Sequence, residues 1–275
     1  MNTYSGSLSS LISSLVDNWT LIGRMARREV VARYRGSLIG LAWSFFNPVL
    51  LLLVYTFVFT VVFAARWGDS RFGTAGVESP AIMIFAGMIV HGLFSECFVR
   101  SPVLVTGNAN YVKRVVFPLE ILPWISMGSA LFHALISLLV LLAGELILIG
   151  TLPWTVVLLP IVILPLVLVT MGFTWLFAAS GVYFRDLSQV SGLISTVLLF
   201  LSPVFYPLSA IPEAYRAWFF LNPLTYVIET SRGLLVFGQM PAVSGLLVYY
   251  AFSVVVAGLG FAWFQKTRRG FADVL

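Results

Sequence analysis

From Ser37 to Ala64 the chain carries no charged side chain, and long uncharged runs broken by short polar clusters recur to the C-terminus. A run of ~20 apolar residues crosses a hydrocarbon core as a helix. The pattern therefore predicts six spans: about Ser37 to Ala64, Pro80 to Val105, Glu120 to Gly150, Trp154 to Tyr183, Leu187 to Tyr206 and Val243 to Phe264. Asn47-Pro48 is expected to kink the first span rather than end it, and Thr151-Leu152-Pro153 to fold the third and fourth into a tight hairpin. Glu96 and Arg100 lie four apart near the end of the second span, where an i,i+4 ion pair lowers the cost of burying both. Residues 207–241 are too apolar for an ordinary loop and too broken by Pro212, Pro223 and Gly238 for a straight span. Two short helices that enter the membrane and return fit this segment, because irregular backbone at that depth must be buried in protein or line a wet cavity.

Ahead of the first span, residues 18–35 wrap as an amphipathic helix. At 100° per residue Trp19, Ile22, Ala26, Val30 and Tyr34 gather on one stripe, opposed by Arg24, Arg28 and Arg35. Asp17 or Asn18 can cap it. Such a helix is expected to lie flat on a membrane surface, with Trp19 among the headgroups and its basic face toward anionic lipid.

Composition fixes the solvent. The 275 residues are 60% hydrophobic and only 10% charged, against about 25% charged in a soluble domain, so most of this chain is expected to face lipid. The net charge of +5 would suggest nucleic acid in a soluble protein, but its placement reports orientation instead. Eleven Lys and Arg residues, among them Arg24, Arg28, Lys113, Arg114, Arg185, Lys266 and Arg268, fall on one side of the six-span topology, and four (Arg66, Arg71, Arg216, Arg232) on the other. The positive-inside rule then puts both termini and the loops at 106–118 and 185–189 in the cytoplasm. The expected fold class is an all-α integral membrane protein. Residues 1–36 form a cytoplasmic N-terminus with the amphipathic helix, 37–264 a six-span domain, and 265–275 a basic cytoplasmic tail. No basic n-region precedes an apolar core, so no cleavable signal peptide is expected.

Catalytic chemistry has no foothold in the motifs. No G-x-x-x-x-G-K-[ST] loop cradles nucleotide phosphates, and neither H-E-x-x-H nor G-x-S-x-G occurs. The single cysteine, Cys97, excludes an internal disulfide, and no Cys/His cluster has metal-ligand spacing. Glu96, Glu120 and Glu145 sit near span ends, where interfacial or paired structural roles outweigh proton relay. His91 and His133 lie deeper and read as hydrogen-bonded packing residues. Gly36-x-x-x-Gly40 matches a small-residue packing motif but lies at a span entrance in a chain of 22 glycines, so it carries no weight. The aromatics Phe45, Phe46, Tyr55 and Phe59 in span one and Phe200, Phe205 and Tyr206 around span five are packing and interface residues, or line a route for sugars whose C–H faces stack on rings.

Four ordered strings complete the picture: RREVVARYRGSLIGLAWSFFNPVLLLLVYTFVF, NANYVKRVVFP, YFRDLSQV and LFLSPVFYPLSAIPEAYRAWFFLNPLTYVIETSRGLL. With the topology, they resemble the type-2 ABC exporter permeases, and within them the transporters of O-antigen, capsular polysaccharide and teichoic acid chains. The resemblance covers residue 18 to the end. It implies a homodimer of six-span subunits docked to two copies of a separate nucleotide-binding ATPase subunit, moving a lipid-linked glycan outward through the bacterial inner membrane. This chain would bind no cofactor, and ATP and Mg2+ would belong to the partner. The resemblance further implies that the amphipathic helix is an interface helix and that residues 108–118 are a coupling helix. Asn110, Tyr111, Lys113, Arg114, Arg28, Arg185 and Asp186 would then meet the ATPase. The aromatic set would flank the substrate path, and 207–238 would shape the exit with Glu229 and Arg232 as a pair one turn apart. A drug or lipid exporter of the same fold, an intramembrane transferase and a non-transporting anchor stay open as alternatives.

Overall fold

The computed structural model describes residues 6–63, 80–112 and 117–275, and among these all regular structure is helical. Helices α1 (Leu8–Val16) and α2 (Trp19–Arg33) precede α3 (Trp43–Tyr55), which runs through Pro48 and continues as a π-helical stretch, Thr56–Val62. Next come α4 (Pro80–Arg100), the short α5 (Ala109–Val112), the long α6 (Leu122–Leu148) and α7 (Leu159–Ser180). The remainder comprises α8 (Leu187–Phe200), α9 (Glu213–Phe219), α10 (Pro223–Leu235), α11 (Val243–Thr267) and α12 (Phe271–Val274).

Among the described residues, five helical stretches are long and apolar enough to cross a membrane: Gly40–Val62, Pro80–Val103, Leu119–Leu148, Trp154–Ser180 and Val243–Val274. They fall on five of the six predicted runs. The predicted run from Leu187 to Tyr206 contains only the 14-residue α8, about 21 Å long at 1.5 Å per residue, short of the ~30 Å hydrocarbon core. Pro203 explains the stop, because the residue before a proline is pushed out of the helical region. Asn222 then seals the end. Its side-chain amide donates to Leu201 O at 3.2 Å and to Ser202 Oγ at 2.8 Å, while its Oδ1 accepts from Leu224 N at 2.9 Å and caps α10.

Helix α4 forms the centre of the bundle. Ala81, Ile82, Met83 and Ile84 are completely buried on successive faces, which suits a helix hydrophobic all round. Phe94 stacks on Phe98 with ring centroids 5.0 Å apart, and Phe177 of α7 meets Phe98 edge-on at 4.7 Å. The third and fourth spans turn through Gly150 (φ 84°), but α7 lies chiefly along α11 rather than α6. That choice follows from glycine: a Cβ on Gly260 would come within 2.0 Å of the Gly172 carbonyl oxygen, so the two backbones touch. The working small-residue contact is thus Gly172 with Gly260. Gly36 and Gly40 face open space and instead provide left-handed turns, with φ of 85° and 52°.

The sequence reading missed α1. Ser7 caps it by accepting from Ser10 N at 3.3 Å, Leu11 and Ser14 are buried, and Trp124 of α6 donates to Ser14 Oγ at 3.3 Å. The predicted apolar stripe of α2 is real, but it packs on protein. Ile22, Ala26 and Val30 are buried against α6, and a Cβ on Gly128 would meet Ala26 Cβ at 2.9 Å. Trp19 remains two-thirds exposed (67%).

Candidate functional site

Three polar links tie α2 to the bundle, and together they define one end of the molecule. Arg33 Nη1 donates to Glu96 Oε1 at 2.7 Å, and His133 Nδ1 lies 3.0 and 3.1 Å from the two Glu96 oxygens. Tyr34 Oη sits 3.1 Å from His133 Nε2. Arg33 Nη1 also lies 2.9 Å from His133 Nδ1, so the guanidinium, the imidazole and the carboxylate form one cluster. A carboxylate inside a span is expensive, and here two partners, Arg33 of α2 and His133 of α6, offset that cost. Burial pushes the Tyr34 phenol above its ordinary pKa.

The second link corrects an expectation. Glu96 and Arg100 do not pair with each other; Arg100 Nη1 instead meets Glu29 Oε1 of α2 at 2.6 Å, a charge contact without hydrogen-bond alignment. Local i,i+4 geometry lost to partners brought in by tertiary packing. The third link reaches the predicted coupling loop: Arg28 Nη2 donates to Tyr111 Oη at 3.2 Å, and the Tyr111 ring stacks on Phe117 at 4.3 Å. That bond raises the Arg28 pKa further, so the guanidinium stays charged. Asn110 is exposed in α5, while Lys113 and Arg114 lie outside the described residues. Arg185 and Asp186 are exposed in the turn before α8, where Asp186 stands at the N-cap without a side-chain cap bond.

The C-terminal segment closes the same end. Arg268 pairs with Glu120 and donates to Phe117 O at 3.3 Å, and Tyr183 Oη donates to Thr267 O at 3.0 Å. Phe271 is buried against Phe264. Glu120 is thus paired as expected, whereas Glu145 is not: it is buried in α6 and its Oε2 has no hydrogen-bond partner among the described residues. His91 fits the packing role, contacting Ser195 O through Nε2 at 3.1 Å.

At the opposite end, Arg232 of α10 is 2% exposed and acts as a clamp. Nε donates to Met83 O at 2.9 Å, Nη2 to Val204 O at 2.7 Å and Nη1 to Pro203 O, while Nη1 also meets Glu229 Oε1 at 2.9 Å. The pair read from sequence is present, yet most donors go to backbone, joining α10 to α4 and to the turn after α8. Gly87 makes room, since a Cβ there would lie 3.0 Å from Arg232 Nη2.

Among the described residues the ring contacts of these aromatics fall into separate pairs rather than one cluster. Phe45 meets Phe46 at 6.1 Å, Tyr55 meets Phe59 at 6.4 Å, and Phe200 meets Phe205 at 5.9 Å; Tyr206 Oη donates to Phe200 O at 2.5 Å. Phe45, Phe46 and Phe200 are exposed. No group of three His, Cys, Asp or Glu side chains suited to a metal occurs among the described residues.

These features define a helical multi-span membrane protein whose N-terminal amphipathic helix is clamped by charge to one end of the bundle. The model of the ABC-2 type transporter family matches residues 20–236, and the chain belongs to that family. It is 30% identical over 267 residues to the O-antigen export system permease protein RfbA of Myxococcus xanthus, covering 96% of this chain and 98% of that one. It is 23% identical to the RfbA permease of Klebsiella pneumoniae, over 91% and 93% of the two chains. The polysialic acid transport protein KpsM of Escherichia coli is 24% identical, over 88% and 91%.

Proposed function

We propose that the chain is the transmembrane permease subunit of an ATP-driven exporter that carries a lipid-linked polysaccharide, of the O-antigen kind, from the cytoplasmic to the outer side of the inner membrane. The observation that carries this reading is the end-to-end similarity to an O-antigen export permease, which spans 96% of this chain. With no nucleotide-binding motif in its sequence, the chain draws its energy from a separate ATPase subunit that holds ATP and Mg2+.

In this reading the α2 end is cytoplasmic. Helix α2 is the interface helix, the loop bearing Asn110, Tyr111, Lys113 and Arg114 is the coupling loop, and Arg185 and Asp186 are further contacts to the ATPase. The Arg28 to Tyr111 hydrogen bond supports this reading, because it joins the two elements that would meet the ATPase. Six-span topology follows if α8 and the turn to Tyr206 together traverse the membrane, with α9 and α10 re-entrant at the exit. Most residues of Gly40–Val62 are exposed in the single-chain bundle, which favours a homodimer that covers them and a substrate path flanked by Phe45, Phe46, Tyr55, Phe59, Phe200, Phe205 and Tyr206.

The test is ATP hydrolysis by the co-expressed, reconstituted complex. Wild type should form a complex that hydrolyses ATP, and Tyr111→Ala or the double variant Lys113→Glu/Arg114→Glu should uncouple or dissociate it. Failure of any ATPase subunit to bind, or robust hydrolysis by this chain alone, would count against the proposal.

A further inference from the structure

Helix α2 has two flanks that do different things. One carries Arg28 and Glu29, which are occupied by Tyr111 and Arg100. The other carries Gly23, Arg27 and Val31, with Arg24 between it and Arg28, and among the described residues neither Arg24 nor Arg27 stands in an ion pair. Both side chains are exposed.

Below that flank opens a groove of about 620 Å³ between α2, α6 and α7, where Arg27 is the one charged lining residue among the described residues. Its floor includes Trp124, Gly128 and Leu131 of α6 and Val167 of α7. A second groove of about 490 Å³ is lined, among the described residues, by apolar side chains that include Leu131, Leu135 and Leu138 of α6 with Pro160 and Ile163 of α7. The two share Leu131. The α6 positions recur at helical spacing along one face, so they line a single trough where α7 turns away to pack on α11. From Trp124 to Leu138 the trough runs about 21 Å along the helix, longer than the ~15 Å depth of one leaflet's hydrocarbon. An apolar channel of leaflet length, open beneath Arg27 with Arg24 one turn away on the same helix, matches an amphiphile with one anionic head and an extended chain.

We infer that this trough is a binding site for an anionic phospholipid, its phosphate on Arg27 and Arg24 and an acyl chain along the Trp124 to Leu138 face of α6. The inference rests on the reading of α2 as a helix at the cytoplasmic membrane surface. The lipid then completes the seat of α2: it fills the gap between α2, α6 and α7 and neutralises the flank that faces away from Tyr111.

The experiment is native mass spectrometry of the full-length chain, purified in mild detergent and offered equimolar phosphatidylglycerol and phosphatidylcholine. Wild type should retain phosphatidylglycerol in preference. Arg27→Gln should cut that preference roughly fivefold and Arg24→Gln/Arg27→Gln further, since each surface arginine contributes about a fivefold factor toward anionic lipid. Arg269→Gln, outside the trough, should leave it unchanged. Leu135→Trp, at a half-exposed position on the trough floor, should lower retention with both arginines in place. Equal retention of the two lipids by wild type, or an undiminished preference in the double variant, would overturn the inference. So would one-for-one displacement of phosphatidylglycerol by decaprenyl phosphate, which would make the trough a seat for the transported lipid. Binding is read without ATPase or transport, so failure here is distinct from failure of the export reading.

Discussion

Replacing Arg232 by alanine should damage the protein far more than neutralising its partner Glu229. Pro203 O and Val204 O lie in a non-helical turn and accept from Arg232. Loss of the guanidinium strands two buried carbonyls at about 1–3 kcal/mol each, hence roughly 2–6 kcal/mol in total. Met83 O adds little to this sum, because its helical position already supplies an amide donor. In Glu229→Gln the amide oxygen still accepts from Arg232, and the carboxylate is about a third exposed (35%), so solvent screening holds the loss to at most about 1 kcal/mol. Thermal denaturation of the detergent-solubilised protein, followed by size-exclusion chromatography, should show a fall on the order of 10 °C for Arg232→Ala. Glu229→Gln should shift it by no more than a few degrees. Arg232→Lys should fall between them, since an ammonium cannot fork to three carbonyls. Equal losses for Arg232→Ala and Glu229→Gln would show that the ion pair, not the backbone clamp, holds α10, and would refute the reasoning.

Three further outcomes follow from the packing. Cysteines at Ala26 and Gly128, in a Cys97→Ser background, should cross-link readily in membranes, because the two positions approach within disulfide range after a small relaxation; absence of cross-linking would detach α2 from α6. Gly260→Leu should abolish folded expression, as even a Cβ there would come within 2.0 Å of Gly172 O, whereas Gly192→Ala, in open space, should be neutral. Tyr111→Phe removes only the Arg28 hydrogen bond and keeps the Phe117 stack; it should leave stability within about 1 kcal/mol yet lower ATP hydrolysis by the assembled complex, and unchanged hydrolysis would take coupling away from that bond.

The spans were legible because the cost of charge in hydrocarbon is local: an uncharged run announces itself without knowledge of its neighbours. Ion pairs were not. Glu96 lies four residues from Arg100 in the sequence, but its partners Arg33 and His133 are 63 and 37 residues away, brought to it by the docking of α2 and by the packing of α6 on α4. The short α8 shows the same limit, since hydropathy continues to Tyr206 while Pro203 and the Asn222 side chain stop the helix earlier. The stripe on α2 was correctly placed and assigned to lipid, but Gly128 of α6 offers it a protein surface. Helix α1 escaped notice because serine-rich sequence has weak helical propensity, which Leu11, Ser14 and the contact to Trp124 override.

The most direct measurement is the location of surface polysaccharide in cells deleted for this chain and complemented with it. The account predicts that deletion leaves lipid-linked glycan inside the inner membrane and none at the surface, and that wild type restores export only when the ATPase subunit is also present. Normal surface glycan in the deletion strain, or restoration without the ATPase subunit, would contradict it.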